Sequence, residues 1–142
     1  MKVSKRIKRL LAISFSALYA AGTGYWLSHL FLRKHGEFGD EPHFLERALA
    51  PIHLGAALIF IFILGIVWEK HIRTALKIHR HRFTGWSFIG LLCFLSLSGI
   101  VIIYASEDWI KLAQKIHPWV GVSLLPFLLI HVTKKSRSPS ER

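Results

Sequence analysis

Four apolar stretches, each about as long as a membrane-spanning helix, limit what this sequence can fold into. They cover residues 10–32, 51–68, 83–105 and 116–132. A helix of about 20 residues crosses the roughly 30 Å of hydrocarbon in a bilayer. An open strand cannot do so, because its backbone groups find no hydrogen-bond partners in lipid. The sequence therefore predicts an all-α integral membrane protein, a four-helix transmembrane bundle, with a polar tail over residues 134–142.

The composition supports this class. The chain is 52% hydrophobic, yet its formal net charge is +11. Both properties occur together when the charges lie between long apolar blocks, as they do in membrane proteins. Nucleic-acid binding is the other common explanation of a basic chain, but no soluble domain is left once the apolar blocks are removed. We therefore expect membrane lipid as a partner, and no nucleic acid.

The first span also has features of a signal peptide, because basic residues precede it and small residues occur at Ala20 and Ala21. However, the apolar run continues to Leu32, which is long enough for a full span. We therefore expect this segment to be retained as the first transmembrane helix.

The distribution of charge predicts the orientation of the spans. With a cytoplasmic N-terminus, segments 1–9, 70–82 and 133–142 are internal, and they hold 14 of the 19 Lys and Arg residues. The external segments 33–50 and 106–115 hold six of the eight acidic residues. Cytoplasmic loops carry the excess of Lys and Arg in membrane proteins. We therefore expect a multi-pass protein of the bacterial inner membrane with both termini in the cytoplasm.

Histidines form two pairs on the second and fourth spans. His53 and His117 stand at the start of these spans, near the outer face, whereas His71 and His131 follow near the inner face. At about 100° per residue, the two histidines of each span share a helix face. Paired imidazoles on facing helices are common axial ligands of haem iron. The pattern predicts two b-type haems with bis-histidine ligation, one near each face, that carry electrons across the membrane.

The inner pair leaves alternatives open. His53 and His71 are 18 residues apart, whereas His117 and His131 are 14 residues apart. The two separations correspond to roughly 27 Å and 21 Å along a helix. His81 at the start of the third span is therefore an alternative to His71 as an inner ligand. In the outer half, His29 could take the place of His53 or His117.

Glycines and arginines fit the same interpretation. Gly85 and Gly99 lie 14 residues apart on the third span, and glycine allows a flat macrocycle to approach the backbone closely. Arg73 and Arg82 can pair with the anionic haem propionates, because guanidinium groups bind carboxylates in a bidentate manner. The same cations also serve as a topology signal.

On these features, residues 50–132 resemble the four-helix di-haem core of the cytochrome b family that serves quinol oxidoreductases. The segment HRFTGWSFIGLLCFLSLSGI, residues 81–100, is also similar to membrane helices of bacterial b-type cytochromes. The resemblance implies two b haems with bis-histidine ligation, and electron exchange with quinones or with a partner subunit. The 18-residue spacing between His53 and His71 departs from the family's spacing of about 14 residues.

Three functions follow from different classes of protein. The first is an electron-transfer subunit of a larger respiratory or quinone-linked redox complex. It exchanges electrons between quinol and a partner subunit or cytochrome at the outer face, and it is not an enzyme on its own. The second is a non-haem, four-span scaffold or assembly subunit. The third, a metal or proton transporter, needs acidic partners within the membrane, and the four spans contain no Asp or Glu.

Overall fold

The computed structural model of the 142-residue chain describes residues 4–37, 39–68 and 82–134, and only the backbone at 82–84 and 131–134. This part of the chain forms four helices and one small hairpin. In order, they are α1 (Lys5–Phe31), β1 (Lys34–Gly36), β2 (Gly39–Glu41), α2 (Phe44–Val67), α3 (Arg82–Tyr104) and α4 (Glu107–Lys134). The chain divides into two compact units, Met1–Lys77 and Ile78–Arg142, and each contains one pair of helices.

Three of the helices are long and apolar enough to cross a membrane. These are α1, α2 and the segment Gly85–Tyr104 of α3. Within the residues that the structure describes, α4 does not belong to this group, and its apolar part continues into residues 131–134, whose side chains are not described. Its first turns are charged. The charged residues are Glu107, Asp108, Lys111 and Lys115. The predicted helical architecture is therefore confirmed, and the capacity to span a membrane is confirmed for three helices.

All four helices begin before the predicted spans, and α2 and α4 do so by the most residues. Helix α2 starts at Phe44 and α4 starts at Glu107, although the apolar spans begin at residues 51 and 116. The ring Nδ1 of His43 caps α2 by accepting a hydrogen bond from the backbone N–H of Leu45 at 3.3 Å. As a result, His53 and His117 lie inside their helices and not at the first turn.

A β-hairpin connects α1 to α2, and the sequence analysis did not predict it. The antiparallel pairs are Lys34 with Glu41, His35 with Asp40, and Gly36 with Gly39. Gly39 has a φ of 112°, in a region that residues with a Cβ rarely adopt. His35, whose side chain is 96% exposed, forms an ion pair with Asp40 when its imidazole is protonated.

Within the first unit, α1 and α2 pack antiparallel. The rings of Phe15 and Phe60 are 5.8 Å apart between centroids, and both side chains are buried. The buried hydroxyls of Ser14 and Ser28 donate to carbonyls of their own helix, at 3.2 and 2.8 Å. These bonds satisfy polar groups that lie between apolar helices.

Helices α3 and α4 of the second unit also pack antiparallel. Leu95 lies against Gly121, and Ser98 contacts His117. Leu124 is the most buried apolar side chain of this unit among the described residues.

Large apolar side chains cover much of the outer surface of both units. The most exposed of them, each more than half exposed, include Phe31, Phe62, Leu97, Tyr104 and Trp119. Soluble monomeric proteins rarely expose extended apolar surface. In a bilayer, lipid chains contact such side chains without the cost that water imposes, because those chains are as apolar as leucine.

Candidate functional site

His53 is held on α2 with its ring against α1. Its Nδ1 lies 3.1 Å from the backbone carbonyl oxygen of Leu18. A carbonyl only accepts hydrogen bonds, so Nδ1 carries the proton and donates it. The neutral ring then has its lone pair on Nε2. Metal-binding histidines usually show this arrangement, because a hydrogen bond from the second ring nitrogen fixes the tautomer and the ring orientation.

Gly22 provides the space that the His53 ring occupies. A Cβ at this position would come within 2.6 Å of Cε1 and 2.7 Å of Nδ1 of the imidazole. No real Cβ contact is that short, so any side chain at residue 22 displaces the ring. The glycine and the Leu18 carbonyl therefore form a seat on α1 that fits one histidine orientation.

His117 is held in a comparable way within the second unit. Its Nδ1 lies 2.7 Å from the hydroxyl oxygen of Ser98 on α3. The Ser98 hydroxyl also lies 3.1 Å from the carbonyl of Leu95. When it donates its one proton to that carbonyl, its oxygen accepts the Nδ1–H of His117. In that tautomer the lone pair of the neutral imidazole lies on Nε2. Ser98 is buried, which places this hydrogen bond away from water.

The two glycines predicted to lie beside the haems differ in their surroundings. A Cβ at Gly99 would lie 3.8 Å from Cε1 of His117, which is an ordinary van der Waals distance. Gly99 therefore borders the ring of His117. A Cβ at Gly85 meets nothing within 4 Å in the part of the chain that the structure describes.

The predicted inner site falls mostly outside the described residues. His71, Arg73 and the alternative ligand His81 belong to the segment 69–81, which is not described. Arg82 opens α3 and His131 lies near the end of α4, and the structure describes only their backbone. The ligands of the inner haem therefore stay a prediction from the sequence.

A buried ion cluster at the hairpin end of the first unit was missed by the sequence analysis. Glu46 of α2 is 3% exposed, and Arg33 binds it in a bidentate manner, with Nε 3.0 Å from Oε1 and Nη2 2.9 Å from Oε2. His29 approaches the same carboxylate, with Nδ1 3.4 Å from Oε2. The hydrogen bonds to Glu46 raise the pKa of Arg33, so its guanidinium remains charged. His29 thus faces Glu46, and its place as an alternative to His53 or His117 stays a prediction.

The second unit has an open apolar groove between α3 and α4, with a volume of about 490 Å³. Its lining residues are Ser87, Gly90, Leu91, Phe94, Val120 and Phe127. The lining offers one hydroxyl and no charge, so the groove is suited to apolar chains and not to polar substrates.

The donor chemistry of His53 and His117 is compatible with axial ligation of a haem iron. Among the described side chains, those of residues 4–37, 39–68 and 85–130, no group of three or more His, Cys, Asp or Glu could hold a metal ion. A b-type haem needs only two axial imidazoles from the protein, because the porphyrin supplies the other ligands. His53 has the tautomer that such ligation requires, and the hydrogen bond of His117 to Ser98 is compatible with the same tautomer.

The interpretation of this site depends on its own chemistry. No protein-family model, no curated protein and no solved structure matches the chain.

Proposed function

We propose that this chain is a di-haem b-type cytochrome that carries electrons across the bacterial cytoplasmic membrane as a subunit of a larger redox complex. Its four helices span the membrane as a bundle with both termini in the cytoplasm, which the distribution of Lys and Arg supports. Electrons pass between membrane quinol and a redox subunit or cytochrome at the outer face. His53 and His117 bind the outer haem iron.

The observation that carries this proposal is the shared arrangement of Nδ1 in two separate helix pairs. His53 donates to a backbone carbonyl, and Nδ1 of His117 shares a hydrogen bond with a serine hydroxyl. In both cases the partner belongs to the neighbouring helix of the same unit. A hydrogen bond of this kind makes the imidazole a more basic ligand and holds the ring in one orientation. Because both histidines have a hydrogen bond at Nδ1 to the neighbouring helix, a shared role as metal ligands is supported.

The haem supplies one-electron exchange when bound, and bis-histidine ligation leaves no open coordination position for a substrate. The residues of the chain then have a limited task. His53 and His117 hold and orient the group, while the apolar helix surfaces exclude water. Because the haem exchanges the electrons and the residues only hold it, such a carrier needs no acid–base catalyst within the spans.

The inner haem completes the proposed path. From the sequence, His71 and His131 are its ligands, with His81 as the alternative to His71. Arg73 and Arg82 pair with its propionates, which is a common use of arginine. With one haem near each face, electrons can cross the membrane in steps.

Single histidine variants test the outer ligands. We expect His53→Ala and His117→Ala, purified in mild detergent, to lose the outer haem from the reduced-minus-oxidised spectrum. His35→Ala is the matched control, because that side chain lies on the exposed hairpin, and it should keep the full spectrum. Added imidazole should partly restore the spectrum of the two ligand variants. If both variants keep the normal haem content and spectrum, the assignment of the outer ligands is wrong.

The non-haem scaffold gives the opposite result. In that case the hydrogen bonds of His53 and His117 serve only to join neighbouring helices. Protein from cells that make other b-type cytochromes is then colourless, and the alanine variants change its stability without changing any chromophore.

A further inference from the structure

The α1–α2 interface has a regular antiparallel register. Three contacts occur at intervals of seven residues on each helix, which is two helical turns or about 10 Å. They are Phe15 with Phe60, Gly22 with His53, and His29 with Glu46. The seat of His53 is therefore the central contact of the three, and the ion cluster of Glu46 lies two turns away from it.

Apolar contacts alone define this register weakly. In lipid, an apolar side chain that loses its partner helix contacts an acyl chain instead, at little cost. A buried carboxylate behaves differently, because removing its cation leaves an uncompensated charge. Glu46 is 3% exposed and is bound at both oxygens by Arg33. The ion pair of Arg33 and Glu46 therefore makes the observed register of α1 and α2 more stable than a slipped register.

A slip of the helices would disturb His53 directly. The imidazole fits against α1 only where residue 22 lacks a Cβ, since a Cβ there would approach Cε1 to 2.6 Å. A shift by one turn brings Leu18, Tyr19, Tyr25 or Trp26 towards the position of Gly22. The same shift carries the Leu18 carbonyl away from Nδ1, so the tautomer is no longer fixed.

We propose that Arg33 and Glu46 form a register clamp that positions His53 on its seat of Gly22 and the Leu18 carbonyl. Arg33 and Glu46 are positioning residues, since they act on the haem only through His53. The effect on haem rests on the proposed function, whereas the effect on helix register does not. The cluster also contains His29, with Tyr25 beside it at 6.3 Å between ring centroids.

The test uses the full-length protein in detergent and two independent measurements. The first is the cross-linking rate of cysteines introduced as Gly24→Cys and Leu49→Cys in a Cys93→Ser background. A Cβ at Gly24 would lie 3.1 Å from Cδ1 of Leu49, so this pair reports the register without haem. The second measurement is the haem content and midpoint potential of the same preparations.

The variants are Glu46→Ala, Arg33→Ala and the charge-exchanged double variant Arg33→Glu with Glu46→Arg. Lys111→Ala is the matched control, because Lys111 forms a solvent-exposed pair with Glu107 at 2.7 Å. We expect each single clamp variant to lower the cross-linking rate by about tenfold, as loss of a buried ion-pair partner is strongly destabilising. We also expect it to shift the midpoint potential or lower the haem content. The double variant should recover both, and the control should change neither.

Each outcome decides a separate question. If the single clamp variants keep the normal cross-linking rate, or if the double variant fails to recover it, the clamp is wrong. If the cross-linking changes as expected while the haem signal is unaltered, the clamp exists but does not position His53. If the unsubstituted protein binds no haem, the proposed function fails, and the cross-linking result still decides the helix register.

Discussion

Replacing Gly22 with alanine should displace the proposed haem ligand His53. The new Cβ would lie 2.6 Å from Cε1 and 2.7 Å from Nδ1 of the ring, whereas ordinary contact begins at 3.4 Å. The ring must therefore move by roughly 0.8 Å away from α1. Because Nδ1 is already 3.1 Å from the carbonyl of Leu18, that movement takes it beyond hydrogen-bond distance.

The cost follows from these two effects. Overpacking a well-filled site costs about 1–3 kcal/mol, and loss of one hydrogen bond costs about 1 kcal/mol. Their sum of roughly 2–4 kcal/mol corresponds to a 30- to 1,000-fold loss of haem affinity if all of it is expressed in binding. Loss of the second hydrogen-bond partner of a metal ligand typically weakens binding by about 10- to 100-fold. We therefore expect Gly22→Ala to bind haem at least about tenfold more weakly.

The assay is titration of the haem-depleted protein with haem, followed by the Soret absorbance, together with the midpoint potential of the bound haem. Gly65→Ala is the control, because it lies on α2 and a Cβ there meets nothing within 4 Å in the described part of the chain. Gly65→Ala should bind haem normally. Equal affinities and potentials for the two variants would show that the contact of His53 with Gly22 does not hold the ligand.

Three further predictions concern neighbouring contacts. Ser98→Ala removes the hydroxyl that is hydrogen-bonded to Nδ1 of His117, so this ligand becomes less basic. Spectroelectrochemistry should therefore find a higher haem midpoint potential, and an unchanged potential would contradict this role of Ser98. Glu46→Ala should lower the free energy of unfolding in detergent by about 1–3 kcal/mol. This is less than for a fully buried ion pair, because the Arg33 side chain is 31% exposed. An unchanged free energy of unfolding would mean that water solvates the pair. Phe60→Ala, which empties a buried contact with α1, should lower the free energy of unfolding by about 3 kcal/mol, and a loss well below 1 kcal/mol would show that the micelle fills the space.

Hydropathy predicts the apolar parts of the helices well and the charged N-terminal turns of α2 and α4 poorly. Helices α1 and α3 agree with the predicted spans to within a few residues, because an apolar run in lipid has to be helical. Helices α2 and α4 extend further towards their N-termini. Their first turns contain charged residues such as Glu46 and Glu107, which form helix readily but carry no apolar signal.

The candidate ligands could be found from the sequence, but their hydrogen-bond partners could not. His53 and His117 stand out because polar side chains are rare in apolar helices. The partner of His53 is a backbone carbonyl, and every residue has one, so the sequence does not identify it. The partner of His117 is Ser98, one of several serines on α3, and only the packing of α3 against α4 selects it.

The sequence spacing around Glu46 indicates its cluster only when the register of α1 against α2 is known. Glu46 lies seven residues before His53, and His29 lies seven residues after Gly22. These equal intervals place the two pairs on one interface only if α1 and α2 are antiparallel and in this register. The sequence does not determine that register, because two apolar helices in lipid pack comparably well when one is shifted by a turn along the other.

The amount of haem per chain decides whether the protein is a di-haem cytochrome. The protein is expressed in cells that make other b-type cytochromes, purified in mild detergent, and assayed by the pyridine haemochrome spectrum against its protein concentration. We expect two b haems per chain, both reduced by dithionite. A pure, folded protein without haem would contradict it.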